Sequence, residues 1–70
     1  MIALAPPTIR ELVAELENSG FHQVEGGKGS HRKFIHERLT GFVLISGPDG
    51  DDARYYQEKH VRRAVQKVKS

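Results

Sequence analysis

Two apolar stripes with the same spacing stand near opposite ends of this chain, and they set most of what it can become. Ile9, Leu12, Val13 and Leu16 fall at i, i+3, i+4 and i+7, and so do Val61, Ala64, Val65 and Val68. Each stripe is one face of an α-helix and must be buried against something lying between them. In seventy residues without a cysteine, that something is neither a second domain nor a disulfide framework. A chain of this size buries only about 60% of the surface it exposes when unfolded, so its core is a single thin layer.

The first helix is marked at both ends. Thr8-Ile9-Arg10-Glu11 is a capping box, in which the Thr8 hydroxyl accepts from the Glu11 N–H while the Glu11 carboxylate reaches back. Gly20 is placed to close the helix in the left-handed conformation, with Phe21 folding back as the hydrophobic contact. These marks predict a helix over residues 9–19. Three β-type segments follow at 21–25, 30–36 and 42–46, separated by Gly26-Gly27-Lys28-Gly29 and by a turn at Gly41. Short turns between successive strands make an antiparallel meander. Residues 47–52 read as a loop, and the second helix is expected to start between Tyr56 and His60.

The expected fold class is therefore α+β: helix-strand-strand-strand-helix, with both helices on one face of a three-stranded antiparallel sheet. Residues 1–7 are expected to be a lead-in that Pro6-Pro7 keeps extended, and 8–70 a single domain. That lead-in carries no basic n-region, and its apolar run is too short for a signal peptide or a membrane span, so no membrane partner is expected. The lack of cysteine fits a reducing, cytoplasmic setting.

The net charge is only +2, but the charges are segregated. Lys28, Arg32, Lys33 and Arg38 gather on one stretch; Lys59, Arg62, Arg63, Lys67 and Lys69 gather on another. Acids collect in the first helix and at Asp49, Asp51 and Asp52. Two basic segments suit a polyanion such as nucleic acid. They equally suit solvated faces, and charge alone does not choose between the two.

Candidate chemistry centres on Lys28-Gly29-Ser30-His31-Arg32-Lys33-Phe34. Strand alternation puts His31, Lys33 and Ile35 on one face and Arg32, Phe34 and His36 on the other. His31 and His36 thus diverge, and with no cysteine and no HExxH pairing a structural zinc is not expected. The glycine-lysine run is not a P-loop, because Lys28 leads into glycine and a strand rather than a helix. Glycines at such a rim let the main chain approach phosphate and present its N–H groups, while Ser30 adds a hydroxyl. Imidazole titrates near neutral pH, so His31 suits proton transfer to or from the oxygens of RNA, whose 2′-hydroxyl is a built-in nucleophile. Such cleavage needs no metal. Residue types alone leave open a histidine that only bonds a loop or touches phosphate.

The same run resembles the signature of the HicA-type mRNA-interferase toxins, the YcfA-like family. The likeness extends over residues 8–69: an opening amphipathic helix ending in Gly20-Phe21, the glycine-serine-histidine strand, and a closing helix with the spacing of Val61, Ala64, Val65 and Val68. It implies a fold like that of double-stranded-RNA-binding domains. It implies an endoribonuclease toxin that cleaves mRNA with His31 as its catalytic residue and with no cofactor. Lys28, Gly29, Ser30, Arg32 and Lys33 would bind the RNA, and a HicB-type antitoxin would be the protein partner. A non-catalytic RNA-binding module on the same fold is the alternative, and it would need the basic residues but not His31.

The sequence departs from that family pattern twice. His36-Glu37 stands where His-Pro is usual, and the acid-bearing stretch 47–56 replaces a short proline-histidine segment. Acids beside an RNA surface repel phosphate. Tyr55 and Tyr56 are expected to pack the sheet edge, with stacking on a base as the other use for them.

Overall fold

The computed structural model describes residues 5–25 and 31–69. The chain runs α1 (Ile9–Asn18), β1 (His22–Val24), β2 (Arg32–Ile35), β3 (Val43–Ile45) and α2 (Tyr55–Lys69). The order and types are those read from the periodicity. Helix α1 ends one residue earlier than expected and α2 begins one residue before the expected window.

Helix α1 has the capping box in full. The Glu11 N–H donates to Thr8 Oγ1 at 3.2 Å, and the Thr8 N–H donates to Glu11 Oε1 at 2.8 Å. At the other end the Phe21 N–H donates to the Leu16 carbonyl at 3.0 Å and the Gly20 N–H to the Glu17 carbonyl at 3.1 Å. With Gly20 at φ +94°, this pair of bonds is a Schellman closure. It turns Phe21 into the core, where it is almost fully buried.

The sheet order is β1-β2-β3, antiparallel throughout. Phe34 lies opposite Gln23 on one side and Val43 on the other. Period-2 alternation then sorts the faces. Phe34, Val43 and Ile45 are fully buried, as are Leu12 and Leu16 of α1 and Val61 of α2. The two helices share the face that these strand residues present, which makes the one-layer core demanded by the chain's length. On the outer face Phe42 and Leu44 stay exposed, and Lys33 is paired with Leu44.

His36, which stands just before Glu37, has a structural use. Its ring packs on Phe21 at 5.0 Å between centroids, and its Nδ1 accepts from the Arg38 N–H at 3.0 Å. The Leu39 N–H donates to the His36 carbonyl at 3.0 Å, which closes the turn after β2.

Candidate functional site

The acid-bearing loop is where folding and site meet. It sits against the start of α1, where a helix leaves N–H groups without intrahelical partners. The Ile9 N–H donates to the Asp51 carbonyl at 2.9 Å and the Arg10 N–H to the Asp49 carbonyl at 3.1 Å. Two more main-chain links pin the neighbouring strand of chain: Thr8 bridges Asp52, and the Ala53 N–H donates to the Pro7 carbonyl at 2.8 Å. Asp49 also holds Arg32, with Nη2 to Oδ1 at 2.7 Å. The loop is thus pinned mainly by its backbone, and one of its acids is neutralised within the fold.

Arg32 therefore lies on the core-side face expected from alternation, bonded to Asp49. Lys33 points to the outer face, its Nζ 4.4 Å from the centroid of the Phe42 ring. Lys28, Gly29 and Ser30 lie outside the described residues. Tyr55 and Tyr56 do not pack the sheet edge: they are 73% and 65% exposed on the first turn of α2. The physical reason is the phase of that helix. Its buried positions are Gln57, Val61, Ala64, Val65 and Val68, which leaves residues 55 and 56 outside the stripe.

Gln57 is the residue that sequence reading missed. It is a polar side chain in the core, 5% exposed. Its Oε1 accepts from the Arg54 N–H at 2.9 Å, which is the N3 half of a capping box for α2. Its Nε2 donates to the Ser46 carbonyl at 3.0 Å and to Ser46 Oγ at 3.3 Å. One carboxamide so starts α2 and fastens it to the end of β3. Only its place beside the apolar stripe signals this, since Val61 lies four residues on.

His31 is exposed and immediately precedes β2. It stands between two concavities. One, of about 340 Å³, runs toward the loop and is lined by His31, Ser46, Asp51, Asp52 and Tyr56. The other, of about 320 Å³, runs over the outer face and is lined by His31, Phe42, Leu44, Tyr56 and His60. Ser46 and Gln57 belong to both. A third depression, of about 370 Å³, continues along α2 between Tyr55, Tyr56, Lys59, His60 and Arg63. Lys59 Nζ is 5.3 Å from the centroid of the Tyr55 ring. An imidazole, a hydroxyl, aromatic faces and cations are thereby arrayed on one surface. That surface can transfer a proton, accept a planar ring and attract an anion.

This is the helix-sheet-helix frame, with a histidine at the head of its central strand, that the resemblance implied. The sequence model of one family, described as "HicA toxin of bacterial toxin-antitoxin", matches residues 9–66. No curated protein and no solved structure matches the chain. By fold and family match the chain is a toxin of the toxin–antitoxin class, whose members work opposite an antitoxin. It belongs to the HicA toxin family. No helix among the described residues is long and apolar enough to cross a membrane.

Proposed function

We propose that this toxin is an mRNA-cleaving endoribonuclease acting in the cytoplasm, with His31 as a proton-transfer group. The observation that carries the reading is the position of His31: an exposed imidazole on the wall shared by two concavities, each large enough for part of a nucleotide. In the reaction the RNA 2′-oxygen attacks the adjacent phosphorus and the bond to the 5′-oxygen breaks. His31 moves one of the two protons that this exchange requires. Lys28, Gly29, Ser30, Arg32 and Lys33 bind the strand, with Arg32 shared with Asp49. No cofactor is needed, because the nucleophile comes with the substrate. Residues 8–70 act as one unit, and a HicB-type antitoxin is the partner that silences it.

The test is expression of wild type and His31→Ala in parallel, following growth and total mRNA. The expected result is growth arrest with loss of mRNA for wild type and neither for the variant. Arrest and mRNA loss by both would remove His31 from the reaction.

One observation favours a second reading, a non-catalytic RNA-binding module. The depression between Tyr55, Tyr56, Lys59 and Arg63 does not include His31, so binding there needs no imidazole from β2. Salt-dependent binding of labelled RNA without cleavage would favour that reading.

A further inference from the structure

Breaking an RNA linkage through its 2′-hydroxyl moves two protons at two places. One leaves the attacking 2′-oxygen, and one must reach the departing 5′-oxygen. The attacking and leaving oxygens lie on opposite sides of phosphorus, so two separated groups serve the reaction better than one.

The concavity on the outer face holds a second imidazole. His31 enters it from the head of β2, and His60 enters it from the second turn of α2. Tyr56 and His60 are four apart on α2, so they project from the same side of that helix. The Gln57–Ser46 bonds fasten α2, which carries His60, to the end of β3, the strand paired with β2, and both residues line the same space. Phe42 and Leu44 supply its apolar wall. The charged groups that line the adjoining depression with His60 are Lys59 and Arg63. Those beside His31 are Asp51, Asp52 and Arg54, which line the concavity on its other side.

We propose that His60 is a second catalytic residue, which completes with His31 a two-imidazole proton-transfer pair. This rests on the ribonuclease reading above. One imidazole takes the 2′-hydroxyl proton as the 2′-oxygen–phosphorus bond forms. The other gives a proton to the 5′-oxygen as its bond to phosphorus breaks. The products are a 2′,3′-cyclic phosphate and a free 5′-hydroxyl, with one proton moved at each histidine and no other reactant consumed. His60 is exposed on the helix, so its replacement leaves the core intact.

The test compares wild type, His31→Ala and His60→Ala on two RNA oligonucleotides. One is normal, and the other carries sulfur in place of the 5′-bridging oxygen at the scissile linkage. A thiolate leaves without being protonated, so the second substrate no longer needs the proton donor. Circular dichroism melting accompanies each variant to establish that it is folded. The expected result is that each variant cuts the normal RNA roughly a hundredfold or more slowly than wild type. One of the two, and not the other, then recovers most of its rate on the sulfur-linked RNA. A folded His60→Ala that cuts the normal RNA at the wild-type rate overturns the proposal. So does loss in both variants that the sulfur linkage restores in neither. A wild-type protein that cuts neither RNA overturns the ribonuclease reading itself, which separates that failure from a failure of the pair.

Discussion

The carboxamide of Gln57 donates to the carbonyl of Ser46 at 3.0 Å and to its hydroxyl at 3.3 Å, which ties the first turn of α2 to the end of β3. The same side chain accepts from the Arg54 N–H at 2.9 Å. Removing it strands a carbonyl and an N–H that are partly out of water, at a cost of about 1–3 kcal/mol. Gln57→Ala is expected to lower the urea unfolding free energy by that amount. Gln57→Glu keeps the acceptor for Arg54 but loses the donor to Ser46, so it also destabilises. Under the proposed mechanism both lower RNA cleavage in conditions where the protein is still folded, because Gln57 fixes α2, which carries His60, and together with Ser46 lines the concavity that both histidines share.

The Arg32–Asp49 pair is short at 2.7 Å, but its side chains are 25% and 48% exposed. Water and salt screen such a pair, and its coupling is expected to be about 0.2–1 kcal/mol. A double-mutant cycle with Arg32→Ala and Asp49→Ala, run at low and high salt, measures it. The coupling is expected to shrink as salt rises. The loop itself should stay in place in Asp49→Ala, because backbone carbonyls hold it to Ile9 and Arg10.

Gly20 takes φ +94°, where an added Cβ would also lie 2.9 Å from His36 Nε2. The His36 ring is held by Phe21 and by the Arg38 N–H, so this contact adds to the backbone strain. Gly20→Ala is expected to destabilise by about 1–3 kcal/mol. Asn tolerates the left-handed region and Val does not. The order of melting temperatures is therefore expected to be Gly20 wild type, then Asn, then Ala, then Val.

The parts of the fold that announce themselves in the sequence are those whose signals reside in side-chain type. Thr8, Glu11 and Gly20 bound α1, the two apolar stripes fix the buried helix faces, and Phe34 centres the middle strand. Alternation also placed Arg32 on the core side and Lys33 on the outer face. The acid-bearing loop was opaque because its main work is done by the carbonyls of Asp49 and Asp51, and a carbonyl looks the same on every residue. The start of α2 was opaque for a related reason: Arg54 is capped by Gln57 from inside the helix, not by a side chain of its own. Tyr55 and Tyr56 are expected to pack, but both belong to the first turn of α2 and fall outside its buried stripe. That His31 and His60 line one concavity depends on the docking of α2 against β3, which no local pattern records.

The central claim is that His31 transfers a proton in RNA cleavage, and the most direct measurement is the initial rate on a labelled single-stranded RNA. Purified wild type and His31→Ala are compared at equal concentration, with a chelator present and with melting curves to establish that both are folded. The account predicts cleavage by wild type and a fall of roughly a hundredfold or more in the variant. Cleavage by a folded His31→Ala at the wild-type rate would contradict it.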